Sequence, residues 1–121
     1  MNGSRAAKVV GSTLTLVAVG LLTACSSVPP PTPEETAKYR LGAVQGKCEE
    51  LVKDRLKSPG SARFSGENTT GDADHGWTTI GGVDSQNSFG ALMRMDFRCT
   101  ATYDAPTDMI DVTVASVDQR N

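Results

Sequence analysis

The spacing of apolar positions takes three forms along the chain. Val9 to Leu22 is a run of fourteen uncharged residues rich in Val and Leu. From residue 33 the apolar positions recur every three or four residues: Ala37, Leu41, Val44, Cys48, Leu51, Val52 and Leu56. That spacing predicts one helix over about residues 33–57 with a single apolar stripe. Thr32 is a suitable N-cap, Pro33 a first helical residue and Glu35 the return partner of a capping box. Lys53, Arg55 and Lys57 suit the negative end of the helix dipole, and Ser58-Pro59-Gly60 stops the helix. Gly42 and Gly46 weaken it by about 1 kcal/mol each relative to Ala. They imply either fraying of the first turns or close approach of another chain.

After Gly60 the period becomes two. Ala62 to Phe64 reads as a short strand, and polar, glycine-containing Glu67 to Gly76 as a loop. Trp77 to Asp84 reads as a strand whose Gly81-Gly82 suggests a bulge or bend. Ser85 to Gly90 reads as a turn. Ala91 to Tyr103 carries the clearest alternation: Met93, Met95, Phe97, Cys99, Ala101 and Tyr103 on one face, and Arg94, Asp96, Arg98, Thr100 and Thr102 on the other. One apolar and one wet face is the pattern of an antiparallel sheet. After a turn at Asp104 to Thr107, Met109 to Val117 gives a last strand in which Ile110, Val112 and Val114 alternate. One helix followed by about four strands predicts an α+β two-layer domain, the helix lying across one face of an antiparallel meander. On this division 1–24 is a signal, 25–33 a tether and 34–121 the single domain.

Charge and order of segments give the first segment a different meaning. Arg5 and Lys8 precede the apolar run, which is short for a spanning helix of about 20 residues and fits the core of a secretory signal. Leu22-Thr23-Ala24-Cys25 resembles the lipobox of bacterial lipoproteins. In that family the Cys thiol is diacylglycerol-modified and the signal is cut just before it. The resemblance implies lipidation at Cys25, a lipid bilayer as partner and a place on the extracytoplasmic face of the cell membrane. The alternatives are an uncleaved signal anchor or ordinary secretory cleavage beside a coincidental Cys. Residues 25–121 hold ten basic and fourteen acidic residues, 10 − 14 = −4. Such a chain is not drawn to an anionic bilayer by charge, and it does not suit a phosphate-neutralising nucleic-acid binder. Ser26 to Pro33 contains three consecutive prolines, favouring a stiff polyproline stalk; the other reading is a proline-rich ligand for another domain.

With Cys25 assigned to lipid, Cys48 and Cys99 remain. The first belongs to the helical stripe and the second to the apolar strand face, so two independent periodicities bring both thiols to the helix–sheet interface. In an exported domain an even pair reads as a disulfide; the alternative is two packed free thiols.

Two longer stretches resemble a family. Cys48 to Phe64 is similar to a C-x-x-x-V-K-D-x-L-K-S-P-x-S/T-A-K-F signature. Gly82 to Ala91, with Arg94, Phe97 and Cys99, resembles its second half, V-D-A-Q-N-S-F-G-A-x-x-R-x-x-F-x-C. Arg63 stands where Lys is usual. These motifs occur in small exported proteins and lipoproteins of Gram-positive bacteria, actinobacteria and their phages. The resemblance implies a helix on a curved antiparallel sheet like the half-domain of the TATA-box-binding protein, with Cys48 and Cys99 paired. Read for its own chemistry, the second motif is a corner of the fold. Asn87 and Gly90 can take positive φ, Phe89 can fold back into the core, and Asp84 and Gln86 can satisfy turn amides. A binding role for Asp84, Gln86, Asn87, Phe89, Gly90 and Arg94 is the second reading.

Catalytic patterns are absent. No Ser-His-acid set, zinc spacing or phosphate loop appears. His75 is the only histidine. It lies among Asp72 and Asp74 in a polar loop, a weak candidate for metal and a better one for solvent. Trp77 and Tyr103 fall in register with apolar faces and read as core. The sequence therefore predicts no enzyme and no cofactor. It predicts a tethered interaction module with a protein partner at the membrane surface, a superinfection-exclusion role if phage-borne. The other readings are a small-ligand binder or accessory envelope subunit using Arg94, Asp96 and Arg98.

Overall fold

The structure is a computed structural model that describes residue 11 and residues 27–121. The signal and Cys25 readings lie outside the described residues. Helix α1 spans Pro33–Lys53, a short 3-10 turn covers Pro59–Ser61, and four strands follow: β1 Arg63–Asp72, β2 Gly76–Gln86, β3 Leu92–Asp104 and β4 Met109–Gln119. All neighbouring pairs are antiparallel, in the order β1-β2-β3-β4. The helix packs on one face of this sheet, the expected α+β arrangement. Among the described residues no helix is long and apolar enough to cross a membrane.

The capping box is formed as the sequence predicts. The Thr32 N–H donates to Glu35 Oε2 at 2.8 Å, and the Glu35 N–H donates to Thr32 Oγ1 at 3.2 Å. The Thr32 N–H first, and then the Thr32 hydroxyl, which donates to the same Oε2 at 2.9 Å, hold the Glu35 carboxyl below its ordinary range. α1 runs unbroken through Gly42 and Gly46, where an added Cβ would meet nothing within 4 Å. Of the predicted stripe, Val44, Cys48, Val52 and Leu56 are buried, while Ala37 is exposed. The helix ends at Lys53, not at 57. Arg55 and Leu56 donate instead to Val52 O and Lys53 O, a tightened turn that still drops Leu56 into the core.

Two apolar clusters meet the helix. Val44 packs with Trp77 and Ala101 near its start, and Cys48, Val52 and Leu56 pack with Val83, Phe97, Cys99 and Val114 toward its end. Within the second cluster Cys48 and Cys99 form a disulfide, with Cα atoms 5.9 Å apart across 51 residues. The alternation of β3 holds throughout: Phe97, Cys99 and Ala101 are buried, and Arg94, Asp96, Arg98, Thr100 and Thr102 are exposed. Trp77 is 4% exposed, and Tyr103 is half-buried, its hydroxyl donating to Asp108 Oδ1 at 2.7 Å under the Arg40 guanidinium.

Three expectations about strands are corrected. Glu67 to Asp72 is not loop but the second half of β1, which pairs Asn68 to Asp72 with Gly76 to Ile80. An edge strand with one neighbour carries too few apolar side chains to signal itself; Thr69 bonds to Thr79 through their hydroxyls at 2.8 Å. The bulge is not at Gly81-Gly82, where the β2–β3 ladder is regular, but opposite them in β1, between Ser65 and Asn68. Ser85 and Gln86 belong to β2 and not to a turn. A second irregularity, between Arg98 and Cys99 against β4, shifts the β4 alternation, so that Val117 joins the core with Val112 and Val114.

The disulfide closes a loop for which chain entropy gives about 4 kcal/mol. Replacing Cys48 and Cys99 together by Ala should lower unfolding free energy by about that amount in urea denaturation, with α1 the first element to detach from the sheet. A double variant within ~1 kcal/mol of the parent would show that the apolar clusters alone hold the helix.

Candidate functional site

Both family-like motifs meet at one end of the sheet. The chain leaves the helix through Ser58 to Ser61 and arrives beside the end of β2. There the Ser61 and Ser85 hydroxyls donate to the Ser58 carbonyl at 2.7 and 3.0 Å, and the Gln86 N–H donates to Ser61 Oγ at 2.9 Å. Ser85, 1% exposed, is the buried member of this small polar knot; Ser58 and Ser61 are half-buried and Gln86 is exposed. Sequence reasoning did not single out Ser85. The signal was present only as a serine at an inward position of a strand, which reads as turn chemistry when the strand is ended too early.

Beyond the knot, Asn87 to Ala91 makes the β2–β3 loop. Asn87 organises it: its Oδ1 accepts from the Phe89 and Ala91 N–H groups at 2.9 and 3.0 Å, and its own N–H donates to Ala91 O at 2.9 Å. Gly90 takes φ +80°, as expected; Asn87 does not take positive φ. The expectation for Phe89 is overturned. It does not fold into the core but stands 94% exposed at the loop tip, with Leu92 62% exposed beside it. Asn87 Oδ1 takes the Phe89 and Ala91 amides, so the loop backbone is held with the Phe89 ring in solvent. A large aromatic ring so exposed on so ordered a loop is a feature of binding surfaces.

Asp84 and Gln86 do not serve turn amides either. Asp84 lies on β2 between Arg63 and Arg94 of the neighbouring strands, and Arg94 Nε reaches its Oδ1 at 3.3 Å. One row further on, Arg120 Nε donates to Asp96 Oδ2 at 3.1 Å, and its Nη2 pairs with Oδ1. Arg120 holds the Asp96 carboxyl below its ordinary range, first through these hydrogen bonds. Sequence reasoning missed Arg120, because only the β3–β4 register brings the C-terminal residues beside Asp96. Of the expected open-face trio, Arg94 and Asp96 are thus both paired. A shallow depression of about 410 Å³ lies beside Arg98, lined by Ile80, Asp96, Ser116, Asp118 and Arg120.

The opposite end of the sheet carries the helix start. Pro31, Pro33, Arg40, Leu41, Asp72 and Trp77 line an open cavity of about 400 Å³ there. His75 Nδ1 lies 2.9 Å from Asp72 Oδ1, which also accepts the Asp74 and His75 N–H groups. These bonds lower the Asp72 carboxyl and raise the His75 imidazole from their ordinary values. Among the described residues no three His, Cys, Asp or Glu side chains assemble as metal ligands.

Comparison with known proteins finds no matching family model, no matching curated protein and no matching solved structure.

If the loop is exposed for contact and the knot is structural, two substitutions separate the roles. Phe89→Ala should leave stability within ~0.5 kcal/mol of the parent. Ser85→Ala should cost about 1 kcal/mol, the worth of a buried hydrogen bond. Equal and large losses in chemical denaturation would mean that Phe89 is a packing residue.

Proposed function

We propose that the protein is a membrane-anchored, extracytoplasmic lipoprotein, held by acylated Cys25, that acts as a non-enzymatic binding module through the surface around Phe89. The supporting observation is the separation of two ends. Pro31 and Pro33 lie beside Asp72 and Trp77, at one end of β2, and Phe89 follows the other. The ten steps from Gly76 to Gln86 set the ends about 33 Å apart.

That length restricts the orientation. The eight residue steps from Cys25 to Pro33 reach at most about 29 Å even when fully extended. The domain therefore cannot invert upright to bring Phe89 onto the bilayer that holds Cys25. Charge acts in the opposite sense. Glu34 and Glu35 in the first helical turn, with Asp72, Asp74, Asp104 and Asp108 in the two adjacent turns, outnumber Lys38 and Arg40 at the tether end. An anionic surface repels that end, so the length of the tether and not charge sets the orientation. A partner is then a protein met at the membrane surface, engaging the Phe89 ring and Leu92 beside Arg94, Asp84 and Gln86.

One helix on four antiparallel strands is consistent with the TATA-box-binding-protein-like half-domain that the motifs imply, and we take that as the fold likeness. By analogy with motif-bearing phage proteins, the process served is superinfection exclusion, in which the module obstructs DNA entry by a second phage. The depression beside Arg98 favours a second reading, a small-ligand or accessory-subunit role. The Arg120–Asp96 and Arg94–Asp84 pairs count against it, since a charged ligand would have to displace them.

Full-length protein expressed in a sensitive host should carry lipid on residue 25 and reduce plating of at least one phage in a panel. Cys25→Ser should abolish both effects. Phe89→Ala should keep the lipid and lose the exclusion. Plating that ignores the protein at every phage tested sinks the exclusion role, and an unmodified Cys25 in mass spectrometry sinks the anchor.

A further inference from the structure

Glu67 occupies a place that the chain prepares in three ways. Gly66, at φ +61°, and Glu67 together oppose the single residue Gly81. A bulge built on a left-handed glycine re-aims the side chain that follows it, here toward α1. Gly81 leaves the space, since a Cβ there would lie 2.9 Å from Glu67 Cγ and 2.8 Å from the Phe97 ring. On the helix, Gln45 and Glu49 are one turn apart and share a face. Gln45 Nε2 donates to Glu67 Oε2 at 3.3 Å. Glu67 Oε1 is buried with no hydrogen-bond partner. The group α1 offers to it is a second carboxylate, Glu49.

Among the described residues no cation pairs with either carboxylate. Lys53, one turn past Glu49, has its Nζ over the Phe64 ring at 5.5 Å, and Lys47 pairs with Glu50. β2 contributes Gly81 and β3 the Phe97 ring. Among the described residues neither Glu49 nor Glu67 forms an ion pair. Two neighbouring carboxylates, one of them with a buried oxygen, cannot both ionise cheaply without a cation.

We propose that Glu49 and Glu67 share one proton, and that this proton latches edge strand β1 to α1, so that β1 is held in acid and loosened as the surroundings turn alkaline. A proton between the carboxylates supplies the donor that Oε1 lacks. Burial first, then the hydrogen bond and charge of Glu49, push the Glu67 carboxyl up to about 7, while Gln45 pulls it back. An ordinary Glu in the unfolded chain titrates at 4.5. The folded state therefore holds the proton more tightly, and the stability it lends is complete below the unfolded value. It fades as pH climbs toward 7 and is gone above it. The Cys48–Cys99 bridge, one residue from Glu49, keeps the helix in place throughout. The loss falls on β1, which has only β2 beside it. The latch does not depend on membrane attachment.

Carboxyl-carbon NMR titration of the full chain in detergent should place the Glu67 midpoint at about 7. Glu49→Gln should raise its acidity about tenfold without restoring the ordinary value. Between roughly pH 5 and pH 8, hydrogen-exchange protection of the Asn68 and Thr70 amides, corrected for intrinsic rates, should fall about tenfold relative to β3, and Glu67→Gln should abolish that fall. A Glu67 midpoint in the ordinary carboxylate range in the unsubstituted chain overturns the proposal, whether or not either variant folds. So does β1 protection that does not change with pH.

Discussion

A four-stranded sheet with one apolar face needs a cover, and among the described residues one α-helix supplies it. The Cys48–Cys99 bridge fixes where that cover lies. It joins the middle of the helical stripe to the middle of the apolar face of β3, within the larger cluster of buried side chains and next to the smaller one. A domain of this size buries a small core, and a cross-link worth about 4 kcal/mol is comparable with its whole stability. Once the bridge is set, the helix start must fall beside the β1–β2 and β3–β4 turns and its end beside the β2–β3 hairpin. The two ends of the molecule follow from that.

Those ends differ in kind. At the helix start, acidic turns surround the residues that follow the proline tract. At the other, a knot of serines around the buried Ser85 fixes the corner from which a hydrogen-bonded loop lifts an aromatic ring into solvent. The knot and the loop are adjacent in sequence but opposite in role. Ser85 faces inward and is closed off, whereas Phe89, four residues on, has no interior to enter. One motif therefore specifies both a fold corner and the surface it presents.

The glycines at the bulge show how local backbone sets side-chain chemistry. Gly81 admits the Phe97 ring from one side and the Glu67 stem from the other. Gly66 supplies the left-handed turn that points Glu67 at the helix. A carboxylate delivered in this way to a site without a cation is costly as an anion, so the packing of an edge strand becomes coupled to proton activity.

The helix stripe, its capping box and the alternation of β3 were legible because each is a local periodicity that one burying face imposes on the sequence. The cysteine pairing was legible for the same reason, since two periodicities pointed both thiols at one interface. The extent of β1 was not, because an edge strand is held by backbone hydrogen bonds to one neighbour and needs few apolar side chains to announce it. Phe89 was misread because apolar character says that a ring gains from burial, not that a cavity exists to receive it. Arg120 beside Asp96 and Glu67 beside Glu49 were decided by register and by a bulge. Strand pairing brings together residues distant in the chain, and no short-range pattern records which ones will meet.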